Sequence, residues 1–144
     1  MCKLYATLFS LLFICNIAFS QSIAGKIYTN EEAKTRFGAA NTIISISTVE
    51  LNSLTARTNN YLMFRILNGK VIILGDKRNV LYPDSTAISA KDVYEYFSIS
   101  LIRNLLSNGN SSVTFIELRK NGIISLTNGV YTLETGVTCP PYCF

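Results

Sequence analysis

Residues 90–107 read AKDVYEYFSISLIRNLLS, and no other stretch bears as heavily on the fold. Ser89 and Asp92 stand at helix-capping spacing at its start, and Asn108-Gly109 supplies a stop. Val93, Tyr96, Phe97, Leu101 and Leu105 recur at intervals of three and four, while Ile99, Ile102 and Leu106 widen the stripe. So broad an apolar stripe packs on a sheet. The reading is therefore a single long helix over about 90–107.

The sheet itself is written on both sides of that helix. YLMFRIL (61–67) and KVIIL (70–74) are apolar runs joined by Asn68-Gly69, the pair that favours a tight type I′ hairpin turn. Downstream, SVTFIELRK, IISLT and VYTLET are separated by Asn121-Gly122 and Asn128-Gly129, which specifies a three-stranded antiparallel meander. Ile124, Leu126, Tyr131 and Leu133 fall on its core face, with Ser125 and Thr132 facing outward. TIISIST (42–48) alternates like a strand with one dry face, and NVLY (79–82) is a further short strand. Thr29 and Glu32 have capping-box spacing ahead of Gly38, and Ser47 and Glu50 repeat that spacing, so one or two short helices belong to the N-terminal half. The expected class is α+β: one antiparallel sheet, hairpin plus meander, covered by one long helix. No internal repeat, linker or low-complexity tract interrupts it.

The first twenty residues, MCKLYATLFSLLFICNIAFS, carry one charge, Lys3, then an apolar run, then Ala18-Phe19-Ser20. That pattern is a secretory signal peptide cut after Ser20, too short and too interrupted by Ser10 and Asn16 for a spanning helix. The expected organisation is a leader over 1–20, a domain over 21–137 and a tail over 138–144, in a secreted or periplasmic protein with no transmembrane segment after cleavage. Loss of Lys3 lowers the net charge from +4 to +3. Such a weak balance excludes a nucleic-acid binder, which shows a clustered basic face. The basic pairs Lys77-Arg78 and Arg119-Lys120 read as solvated turns.

The chain contains no histidine, which removes the commonest general base and the commonest metal ligand. No catalytic set, cofactor site or metal site is recognisable. GDKRN (75–79) is the best polar loop, with Asp76, Lys77 and Arg78 placed after an apolar strand, where a sheet can position binding residues. Asn110-Ser111-Ser112 is a glycosylation sequon in a plausible surface turn, should the host glycosylate.

The tail, TCPPYCF (138–144), holds Cys139 and Cys143, the two cysteines that remain once the leader is removed. An exported compartment and an even count favour a disulfide between them, provided the prolines turn the chain. The C-P-Y-C of glutaredoxin-like proteins is only approached. An extra proline changes the spacing, and no helix can follow to lower a thiol pKa. The sequence thus points to a non-enzymatic binding or structural module of the envelope or secreted fraction. The sequence leaves its partner open among a protein, a peptide and an envelope component, and Tyr142 and Phe144 are candidates for presentation to it. The rival reading is a thiol redox or Cu(I)-handling protein that uses the cysteine pair.

Overall fold

In the computed structural model residues 23–140 are described; the leader, Tyr142, Cys143 and Phe144 lie outside them. The described chain is mostly β, with ten strands in two antiparallel five-stranded sheets and three short helices. The elements run β1 (Lys26–Thr29), α1 (Asn30–Phe37), β2 (Ala40–Ser47), α2 (Thr48–Thr55), β3 (Tyr61–Leu67), β4 (Lys70–Leu74) and β5 (Val80–Tyr82). They continue with β6 (Tyr94–Ser98), α3 (Ile99–Gly109), β7 (Val113–Arg119), β8 (Ile124–Asn128), β9 (Tyr131–Glu134) and β10 (Val137–Cys139). One sheet has the order β1-β9-β8-β7-β2, the other β10-β6-β3-β4-β5.

The single long helix is therefore overturned, and with it the single sheet. Its first half, Tyr94–Ser98, is strand β6, and only Ile99–Gly109 is helical. Aromatic residues favour a strand, and Tyr94, Tyr96 and Ser98 share one face while Glu95 and Phe97 share the other. The capping spacing at Ser89 is used, but by a turn: Asp92 Oδ2 accepts from Ser89 N at 2.8 Å, and Asp92 N donates to Ser89 O at 3.0 Å. Local hydrogen bonding of this kind closes a turn as readily as it starts a helix.

Several other local elements match their residues, although α2 (Thr48–Thr55) forms without the expected side-chain cap from Ser47. The α1 capping box is formed, with Glu32 N donating to Thr29 Oγ1 and Thr29 N to Glu32 Oε2. Asn68 and Gly69 both take positive φ in the β3–β4 hairpin, as a type I′ turn requires. The last hairpin differs: Asn128 pairs with Tyr131, so Gly129-Val130 forms the turn. Asn128 is buried, and its Nδ2 reaches Thr48 Oγ1 and Thr114 Oγ1, both at 2.9 Å, latching β8 to the start of α2. Beside it the backbones of Gly109 and Gly129 approach so closely that a Cβ on either would overlap the neighbouring chain.

A repeat that the sequence does not announce emerges from the pairing. A strand, a helix and then three consecutive strands occur twice, as β2-α2-β3-β4-β5 and as β6-α3-β7-β8-β9. Phe64 pairs with Ile73 in one unit as Ile116 pairs with Leu126 in the other, and Ile73 meets Tyr82 as Leu126 meets Leu133. The leading strands are exchanged between units: β2 pairs with β7 (Ile44↔Ile116) and β6 with β3 (Glu95↔Phe64). Leu51 and Leu54 of α2, Ile102 and Leu105 of α3, and Phe64, Phe97, Ile116, Leu126 and Leu133 of the sheets form one core. The opposite face of the second sheet buries Tyr61, Met63, Tyr94, Tyr96 and Cys139 in a smaller cluster.

Glu95 stands where the other unit carries Ile44, and its Oε2 accepts from Ile124 N of the opposite sheet at 2.7 Å. Burial pushes its carboxyl up to about 7, against the Ile124 and Gly136 N–H groups that favour the charged form; the nearby Glu134 adds to the rise. Between the ordinary value of 4.5 and about 7 the folded chain thus keeps a proton that the unfolded chain has lost. Stability should fall by about 3 kcal/mol as pH rises through that window and level off above it. Urea unfolding midpoints measured from pH 4.5 to 8 should show this slope, and Glu95→Gln should flatten most of it; an unchanged slope would assign it to other groups.

Candidate binding site

Alternation along β7, β8 and β9 sends Glu117, Arg119, Ser125, Thr127, Thr132 and Glu134 to the face of the first sheet that points away from the main core. Sequence reasoning left this face wet, yet Ser125, Thr132 and Glu134 are buried. The cover is α1. Its Ala33 is fully buried, Asn30 N donates to Val130 O at 3.0 Å, and Asn30 Nδ2 donates to Gly129 O at 2.9 Å. Thr132 donates in turn to Asn30 Oδ1 at 2.9 Å and shares a hydrogen bond of 3.0 Å with Thr127.

Arg119 is the centre of this face. Its side chain is only 4% exposed, so the expectation of a solvated basic pair at Arg119-Lys120 fails for the arginine. Nε donates to Glu134 Oε1 at 2.7 Å and to Ser125 Oγ at 2.8 Å, while Nη2 lies 2.6 Å from Glu134 Oε1 and 3.4 Å from Glu117 Oε2. Nη1 donates to Gly38 O and so ties the end of α1 to the sheet. Burial pushes the Glu134 carboxyl above its ordinary value, while hydrogen bonds from Ser125 and Arg119 pull it back. Its Oε2 is buried with no hydrogen-bond partner among the described residues.

Next to this network a pocket of about 320 Å³ opens. Asn30 and Lys34 of α1 form one wall, Ala40 and Ile43 of β2 an apolar side, and Glu117, Arg119, Thr127 and Thr132 the floor. A hollow of similar size, about 310 Å³, lies between α2 and α3, but its one charged side chain, Arg103, is committed to Thr55 through Nε and Nη2. The pocket beneath α1 combines charges of both signs with hydroxyls. In the sequence this face shows only as cation, anion and hydroxyl at alternate positions of consecutive strands, a pattern that a solvated face shares.

The loop residues singled out from the sequence lie elsewhere. The Asp76 carboxylate accepts from the backbone N–H groups of Asn59, Asn60 and Tyr61 at 3.0–3.1 Å, fastening the loop before β3. Arg78 donates to Ser89 O and Asp92 O, stacks on Tyr94 at 4.9 Å and reaches Cys139 Sγ at 3.7 Å. Lys77 is exposed beside them. Asp76 and Arg78 are thus joined to loops around the second sheet, apart from the pocket. Tyr142, Phe144 and Cys143 lie outside the described residues. Asn110 of the sequon is exposed and caps α3 in the left-handed conformation.

Among the described residues no group of three or more cysteine, aspartate and glutamate side chains is gathered to hold a metal ion, and no helix is long and apolar enough to cross a membrane. No family model, curated protein or solved structure matches the chain.

Removing one member of a buried ion pair strands the other charge. Arg119→Met should therefore lower the unfolding free energy by about 3–5 kcal/mol in urea titrations, with much of the loss recovered by adding Glu134→Leu. A loss below about 1 kcal/mol would mean that water already solvates Glu134.

Proposed function

We propose that this chain is an exported, non-enzymatic binding module that takes a small zwitterionic ligand, an amino acid or the end of a short peptide, in the pocket beneath α1. The observation that carries this reading is the placing of Lys34 and Glu117 on the same small pocket. Among the described residues the Lys34 ammonium has no hydrogen-bond or ion-pair partner, and the Glu117 carboxylate has only Arg119 at 3.4 Å. A ligand carboxylate suits the first and a ligand ammonium the second, and charge-assisted hydrogen bonds of this kind are the strong ones. Ala40 and Ile43 give an apolar side group a place to lie, a common division of labour in small-molecule pockets. The leader pattern of residues 1–20 supports a secreted or periplasmic setting.

For the tail, the bridge between Cys139 and Cys143 is retained as a proposal. Cys139 is fully buried among Tyr94 and its neighbours. Thiol–disulfide exchange and metal capture need an approachable sulfur, so this burial supports a structural role over a redox or Cu(I) site.

Titration calorimetry of the exported chain at pH 7 against free amino acids and dipeptides should detect binding. Lys34→Ala and Glu117→Gln should each weaken it by about tenfold or more. Absence of binding by every zwitterion in the panel would sink the assignment. Intact mass after alkylation without reductant tests the bridge: the expected species is about two hydrogens lighter than the dithiol and carries no alkyl group. A doubly alkylated chain would overturn it.

A further inference from the structure

Four strand edges close the two sheets, and three of them are short. β5 and β10 have three residues each, and β1 has four with Lys26 at its start. The fourth, β2, has eight residues, ANTIISIS, with no charge and no proline. It pairs with β7 on one side, and among the described residues no strand pairs with the other. Natural sheets protect long edges with lysine, proline or brevity, because an open ladder of N–H and C=O groups recruits another strand. β2 has none of these beyond an irregularity between Ala40 and Thr42.

The repeat shows what such an edge accepts. β6 holds in the second sheet the place that β2 holds in the first, and its outer edge is taken by an antiparallel strand, β10, with Val137↔Tyr96, Thr138↔Glu95 and Cys139↔Tyr94. Through the matched registers, Tyr94, Glu95 and Tyr96 correspond to Ile43, Ile44 and Ser45. The edge at Ile43–Ser45 thus has the geometry of one already filled in the same molecule.

We propose that the occupant is β2 of a second copy of this chain, paired antiparallel about a two-fold axis to join two five-stranded sheets into one of ten. An uncharged strand can meet itself without like charges facing each other. The ends are complementary as well. Lys34 and Arg36 lie in the last turn of α1, just before β2, and Glu50 lies in the first turn of α2, just after it. Antiparallel pairing brings the cationic end of one copy to the anionic end of the other, twice. It would also cover Ile43, a large apolar side chain that is 58% exposed at this edge.

Sedimentation equilibrium and light scattering on the exported chain, from 1 to 200 µM as a roughly chosen range spanning ordinary dimer affinities, should give a dimer. Ser45 is exposed at the middle of the edge, so Ser45→Lys and Ser45→Glu should keep the parent circular-dichroism spectrum while raising the dissociation constant about tenfold or more. An equimolar mixture of the two variants should recover the dimer, which a folding defect cannot do. A parent chain that stays monomeric throughout, or that pairs only with added extended peptides, overturns the proposal. So does a dimer indifferent to both variants, or a mixture that stays monomeric.

Discussion

The exchange of leading strands is the constraint on which the rest depends. β2 belongs by sequence to the unit of β3–β5, but it hydrogen-bonds to β7; β6 belongs to the unit of β7–β9, but it hydrogen-bonds to β3. Each crossing is made by a helix, α2 or α3, so both helices lie where the sheets approach and their apolar residues fill the space between. Neither sheet is complete without a strand from the other unit. Cooperativity between the halves is therefore built into the hydrogen bonding as well as into the shared core.

The same arrangement accounts for the buried polar groups. A chain that crosses between sheets must turn near their ends, and backbone groups there need partners. Glu95 supplies one for Ile124 N, Asn128 for the segment before β7, and Arg119 for Gly38 O. Each carries a desolvation cost that only a well-satisfied site offsets. The Glu134 oxygen that has no partner among the described residues and the raised Glu95 carboxyl mark where that satisfaction is incomplete. The pocket beneath α1 is lined by Arg119, the partner of Glu134.

What could be read in the sequence was whatever is decided within a few residues. Asn68-Gly69, the α1 capping box and the apolar hairpin strands all follow from local chemistry, and all are present. The stretch from Tyr94 to Gly109 reads as one helix because a five-residue strand running into a helix keeps its apolar residues at spacings that also suit one continuous helix. The second sheet escaped notice since its defining pair, β6 with β3, joins residues more than thirty positions apart. The pocket escaped for a different reason. A polar face alternating with an apolar one looks the same whether water or a capped helix lies over it, and only the docking of α1 on Val130 and Gly129 distinguishes the two. The repeat was hidden because its halves share positions in a pairing scheme and few residue identities.

The long reach of β2 also sets an order on events. Ile44 finds its partner Ile116 only after about 70 further residues have been made, so the first half of the chain cannot finish a sheet while the second half is still emerging. Topologies rich in such distant pairings fold slowly. For a chain threaded through a membrane pore behind a cleavable leader, as proposed, that delay is an asset. β2, which would jam the pore if it closed early, has nothing to close against until β7 has followed it through.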